Sequence, residues 1–188
     1  MSVKYKIRDQ DKLYFVTFSV VYWIDVFTRE EYIQVLLDSI KYCQKEKGLE
    51  VYAWCIMTNH VHFIIGRKEI ETEKVIGLET IVRDFKKYTS VFICRSIESN
   101  PQESRKEWIL WMLKRAAEKS KKHQKYMFWN NDYHPIELSN ANITKQKLDY
   151  LHNNPVKSGI VDEIWEYRYS SARDYCGKKG LLDIILIE

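Results

Sequence analysis

The sequence predicts an α+β fold, a ferredoxin-like β-α-β-β-α-β sandwich with an antiparallel sheet, and three observations point to it. Segments of period-two hydrophobicity alternate with segments of helical period in that order. The 188 residues include only 6 Gly and 3 Pro, well under the ordinary share, so the elements are long and regular. Apolar residues make up 45% of the chain, enough to build a core and to exclude wholesale disorder. The length fits one domain, 1–188. No apolar run is long enough for a membrane span, and the charged stretch 1–10 has no secretory h-region.

Each element follows from local pattern. Residues 13–21, LYFVTFSVV, put Tyr14, Val16, Phe18 and Val20 on one face of a strand and Thr17 and Ser19 on the other. Thr28 and Glu31 have the spacing of a capping box. Ile33, Leu36, Leu37, Ile40 and Cys43 then form a helical stripe, which Gly48 ends. Residues 51–57 and 60–66, separated by Thr58 and Asn59, predict a hairpin. A second helix is expected over about 77–97, with Leu78, Ile81, Phe85, Tyr88 and Phe92 inward and Arg83, Lys86 and Lys87 outward. Residues 101–125 form a charged helical insertion that Trp108, Trp111 and Met112 would dock. Residues 127–138 read as the fourth strand, with Pro135 implying an edge or bulge. Ser139 or Asn140 caps a last helix, expected to stop near Asn153 because Pro155 disfavours helical geometry in the residue before it. A tail with Trp165, Tyr167, Tyr169 and Tyr175 closes the chain.

The net charge of +4 permits nucleic-acid binding without demanding it. Cys43, Cys55, Cys94 and Cys176 form no C-x-x-C pair and read as reduced thiols of a cytoplasmic protein. Two groups of residues carry chemistry. His60 and His62, at i and i+2 of a strand, project together, and two neutral imidazoles on one rigid face can hold a divalent metal if a third ligand joins them. Alone, H-x-H is read more simply as two strand histidines without a ligand. Tyr150 and Asn154, at i and i+4 of a helix, share a face. A phenol is a weak nucleophile that a nearby metal or base can activate toward phosphorus. Alone, Tyr150 is read more simply as a packing residue and Asn-Asn-Pro as a helix stop.

Taken together, the two groups resemble a known family. Met57-Thr58-Asn59-His60-Val61-His62 resembles the HUH motif of single-tyrosine transposases. The segment from Leu148 to Gly159, with Tyr150 and Asn154-Pro155-Val156, resembles the helix that carries their nucleophile, most nearly in the REP-associated tyrosine transposase branch. The Trp165 to Tyr175 tail looks like that branch too, so the resemblance spans roughly residues 10–177. The family often has proline where this chain has Thr58, and its insertion-sequence members usually have glutamine where this chain has Asn154.

The resemblance implies roles by position. His60, His62 and Asn154 would hold Mg²⁺ or Mn²⁺, which would neutralise charge on the phosphate. Tyr150 would attack single-stranded DNA at a hairpin or repeat and leave a 5′-phosphotyrosine link and a free 3′-hydroxyl. The link conserves the phosphodiester energy, consistent with the lack of a Gly-rich phosphate loop. Arg83, Lys86, Lys87, Lys157 and Arg168 are candidate DNA contacts, although a solvated charged face explains any one of them. The protein would act in the cytoplasm on nucleoid DNA, and family members work as monomers or as homodimers. Three rivals stand beside this reading: a domesticated binder that does not cleave, a metal-dependent nuclease using water, and a module whose histidines bind no metal.

Overall fold

The computed structural model describes residues 7–69, 76–120, 125–131 and 133–187. Its strands are β1 (Tyr14–Ser19), β2 (Leu49–Ile56), β3 (His60–Arg67) and β4 (Ile136–Glu137). Its helices are α1 (Glu30–Lys47), α2 (Leu78–Ser99), α3 (Lys106–Lys119), α4 (Ala141–Lys157) and the short α5 (Ala172–Tyr175). The strands form one antiparallel sheet in the order β2-β3-β1-β4, which confirms the expected sandwich.

The sheet has two unlike faces. Val16, Phe18, Val61, Phe63, Trp54 and Ile56 point into a large core closed by α1, α2 and α3. Phe15, Ala53, Cys55 and Ile64 point the other way into a smaller core with Leu138 and Leu151. In β2 the phase changes at a bulge between Val51 and Ala53, where Tyr52 is the extra residue. Just before this bulge Gly66 pairs with Glu50, and a side chain there would collide with that of Leu13.

Several expectations need correction. Thr28 does not cap α1. Arg29 precedes that helix with no side-chain cap, the Thr28 hydroxyl accepts from Arg105, and Glu31 accepts from the Asn100 amide. Gly48 does end α1, in the left-handed conformation. On α2 the buried stripe runs through Leu78, Ile81, Val82, Phe85, Thr89, Ile93 and Ile97, while Tyr88 and Phe92 stack on each other in solvent. The helix of the insertion spans Lys106–Lys119 and docks through Ile109, Leu113 and Ala116, with Trp108 and Trp111 exposed. Part of the expected helix, 121–124, lies outside the described residues.

The fourth strand shrinks to Ile136–Glu137, because Phe128 and Trp129 turn into the core and Pro135 has no N–H for a ladder. Among the described residues it is an edge strand, paired with β1. Asn140 caps α4 by accepting from the Ile143 N–H at 3.0 Å. The helix then runs through Pro155 to Lys157. All four cysteines are free thiols. No helix among the described residues is long and apolar enough to cross a membrane.

The tail covers the other sheet edge. Tyr169 and Ser171 make backbone bonds to Ile56 and Trp54 of β2, each 2.9 Å. The hydroxyls of Tyr167 and Tyr175 donate to the carbonyls of Ile56 and Tyr52 at 2.7 and 3.0 Å.

Candidate active site

The smaller core opens at one end onto His60 and His62, which project from β3 with ring centroids 4.7 Å apart. Strand pleating puts Val61 and Phe63 on the opposite face, so both imidazoles are aimed by backbone hydrogen bonds and not by their own rotamers alone. Tyr150 and Asn154 come from α4, which crosses this face. The Tyr150 ring lies 5.3 Å from His62 and 6.0 Å from Phe15, edge-on to both. The Asn154 amide is 3.1 Å from His62 Nε2. The four residues singled out from two distant motifs therefore meet at one place. Asn154 arrives there because α4 continues through Pro155. A proline in the last turn loses one backbone bond and leaves the i, i+4 face intact.

The second ring of contacts fixes both tautomers. The Asn59 amide N–H₂ donates to the Asp25 carboxylate at 2.9 Å, which can only accept, so its oxygen faces His60 Nδ1 at 2.7 Å. His60 Nδ1 must then carry the proton, and Nε2 presents its lone pair. Asp25 is itself held by the Thr58 hydroxyl at 2.6 Å, and its backbone carbonyl by Arg105 at 2.9 Å. The Asn154 amide N–H faces His62 Nε2 at 3.1 Å, so Nε2 accepts and Nδ1 carries the proton, which it donates to the Thr17 hydroxyl at 2.7 Å. Burial keeps both rings neutral. It lowers the His60 pKa, and it pushes His62 down to about 3, where the Lys147 ammonium and the cost of charging two adjacent imidazoles add to it.

A divalent metal fits these donors. Two imidazole lone pairs are presented by residues whose other nitrogens are satisfied, the usual support for metal-binding histidines. A half-turn of the Asn154 amide would put its oxygen where the nitrogen stands. Its 3.1 Å spacing from Nε2 matches the about 3 Å between neighbouring ligands on a six-coordinate ion. Among the described residues no three His, Cys, Asp or Glu form a cluster, so the amide is the third donor at hand.

The helix carrying Tyr150 is pinned behind its reactive face. His152 is buried and its Nε2 lies 2.9 Å from the Ser171 hydroxyl. That hydroxyl also accepts from the Trp54 N–H at 2.9 Å and donates to the Trp54 carbonyl at 3.2 Å. His152 must therefore donate, and Ser171 joins α4, β2 and the tail. Tyr150 is 43% exposed, and the ammonium groups of Lys147 and Lys157 each lie 5.9 Å from its ring.

The model of IS200-like transposases matches residues 11–112, more than half of the chain. The chain belongs to the IS200-like transposase family. It is also 23% identical, over 75% of its own length and 69% of the relative's, to a protein of Haemophilus influenzae described as a REP-associated tyrosine transposase. A solved REP-associated tyrosine transposase bound to a REP hairpin has the same fold, with a TM-score of 0.63 at 18% identity over 98% of this chain and 94% of that one.

In this IS200-like chain the five basic candidates do not converge. Lys157 stands beside Tyr150. Arg83, Lys86 and Lys87 lie on α2, behind the sheet from the histidines. Arg83 pairs with Asp84 at 3.3 Å, and Lys86 donates to the Asn130 carbonyl at 3.0 Å and lies over the Phe18 and Tyr133 rings. Arg168 pairs with Glu30 at 3.3 Å. Sequence reading did not assign Thr17, Asp25, Asn59, Lys147, His152 or Ser171. Thr17 was on the polar face of β1, but only its register opposite His62 gives it a role.

Proposed function

We propose that this chain is a metal-dependent transposase for single-stranded DNA, cutting and rejoining strands at hairpin or repeat ends through Tyr150. The observation that carries the reading is the meeting of Tyr150 with two histidines that both present Nε2, and with the Asn154 amide. The hairpin in the solved relative supports the choice of substrate.

His60, His62 and Asn154 would hold Mg²⁺ or Mn²⁺, which when bound neutralises charge on a non-bridging phosphate oxygen. The Tyr150 hydroxyl gives up its proton to solvent as its oxygen attacks phosphorus, the phosphorus–O3′ bond breaks, and the departing 3′-oxygen takes up a proton from solvent. A phosphotyrosine on the 5′ side remains, and a second 3′-hydroxyl reverses the step to join strands. Lys147 and Lys157, each 5.9 Å from the Tyr150 ring, stand where they can bind adjacent phosphates.

The test is covalent capture. Protein, Mn²⁺ and hairpin oligonucleotides copied from DNA flanking the gene are resolved by denaturing electrophoresis, and the linked peptide is mapped by mass spectrometry. The expected result is an adduct on Tyr150, lost with chelator and in Tyr150→Phe. Cleaved DNA without adduct, retained in Tyr150→Phe, identifies a water-using nuclease. Binding without either product identifies a non-cleaving binder. Either outcome overturns the reading.

A further inference from the structure

We infer that Tyr22 and Trp23 form a stacking platform for an unpaired nucleobase next to the metal-binding face, an inference that rests on the single-stranded DNA reading above. Directly after β1 the chain turns through two successive non-glycine residues in the left-handed region, Tyr22 at φ 56° and Trp23 at φ 55°. This conformation is uncommon for bulky side chains, and where it persists the surroundings impose it. Here it holds two large aromatic rings out of the core, 41% and 58% exposed, although Val21 and Ile24 on either side are buried.

The platform is built onto the site. Trp23 lies edge-on to His60 with ring centroids 5.7 Å apart. Its carbonyl accepts from the Asn59 amide at 3.4 Å, the same amide that orients His60. Its N–H donates to the Val20 carbonyl at 3.1 Å. The ring is thus tied to the network that aims the metal-binding histidine. Lys119 of α3 lies 5.6 Å from the Tyr22 ring, a cation beside an aromatic surface. An aromatic face with an adjacent cation is the chemistry that recognises a base and its phosphate, with little regard to sequence.

The occupant is therefore an unpaired base of the strand whose phosphate lies at His60 and His62. Tyr22 and Trp23 would set how the strand lies, and take no part in bond making.

The test uses the full chain with Tyr150→Phe, so that no cleavage intervenes. Binding of oligothymidylate and of the gene-flanking hairpins with unpaired flanks is followed by fluorescence anisotropy, with abasic sites placed one at a time. Trp23→Ala should weaken binding by about tenfold or more, and Trp23→Phe should restore most of it. One abasic position should weaken binding equally and fail to add to Trp23→Ala, while melting temperature and Mn²⁺ affinity stay at parental values. Parental binding in Trp23→Ala, or additivity at every position, overturns the platform and leaves the transposase reading standing. Failure of the parent to bind any unpaired DNA overturns both. Self-association lost in Trp23→Ala, with DNA affinity unchanged, assigns the rings to a second copy of the chain and overturns the inference.

Discussion

Replacing Thr17 by valine isolates the support of one imidazole. The two side chains have nearly the same shape, so the change removes one hydroxyl, the partner of His62 Nδ1 at 2.7 Å. His62 is almost wholly buried, and water cannot replace the lost acceptor without entering the smaller core. The ring then has two courses. It can keep its Nδ1 proton unpaired, at about 1–3 kcal/mol of stability for a buried donor. Or it can move the proton to Nε2, which destroys the lone pair that a metal needs and turns Asn154 toward accepting. Both courses weaken metal binding, by about 10- to 100-fold for the loss of such a supporting contact, or about 1.4–2.8 kcal/mol. Isothermal titration with Mn²⁺ and urea unfolding of the metal-free protein measure the two costs. Thr17→Ser keeps the hydroxyl and should bind within about threefold of the parent. If Thr17→Val binds Mn²⁺ within twofold of the parent, the hydroxyl does not fix the tautomer and this account of His62 is wrong.

Two further predictions concern stability. Ser171→Ala strips acceptors from the Trp54 N–H and the buried His152 at once, and should cost about 2–4 kcal/mol in urea unfolding. Adduct formation should fall as well, since α4 loses a tether, and a change under about 1 kcal/mol would remove Ser171 from that role. Acid should destabilise the metal-free protein well before its carboxylates titrate. Burial holds His62 at about 3 and His152 at about 4, below the ordinary 6.5. A group with a depressed folded pKa takes its proton more readily when unfolded, so its contribution is complete above pH 6.5 and is lost as pH falls toward the folded value. Between pH 7 and pH 5 each ring should remove about 2 kcal/mol, and equal stability at the two pH values would show that neither is buried neutral.

The sequence carries the periodic parts of this fold well and the interrupted parts poorly. Strand β1, the hairpin and α1 declare themselves because their buried faces are mostly apolar, with Ser39 of α1 and His62 of the hairpin as buried polar exceptions. The stripe on α2 misleads at its middle because Thr89 sits where a hydrophobe would. Its hydroxyl bonds the Phe85 carbonyl at 2.8 Å and accepts from Trp129 Nε1 at 3.0 Å, so a polar residue is buried while Tyr88 and Phe92 are left outside. Pro155 misleads because local geometry argues for a stop, whereas α4 is held past it by tertiary contacts of Leu151, His152 and Pro155, all buried. His60, His62, Tyr150 and Asn154 are legible as chemical types at suggestive spacings. Their supporting shell is not, since Thr17, Asp25 and Ser171 gain meaning only from strand register and from the return of the tail along β2.

The composition of that shell bears on why these donors suit a phosphodiester. His60, His62 and Asn154 are all neutral. Asp25, the carboxylate in their network, reaches His60 only through the intervening Asn59 amide. A divalent ion on neutral donors keeps its full charge for an anionic substrate, whereas each carboxylate ligand would cancel one unit and place like charge against the phosphate. Neutral donors also hold hard cations less firmly than carboxylates do, so this site would bind its metal weakly alone and more tightly once a phosphate oxygen joins the coordination. Linkage would make that coupling reciprocal: in the proposed reaction, the phosphate that recruits the ion would be the one presented to Tyr150. The Asn59 spacer thus gives His60 the orienting pull of a carboxylate while the negative charge stays out of the coordination sphere.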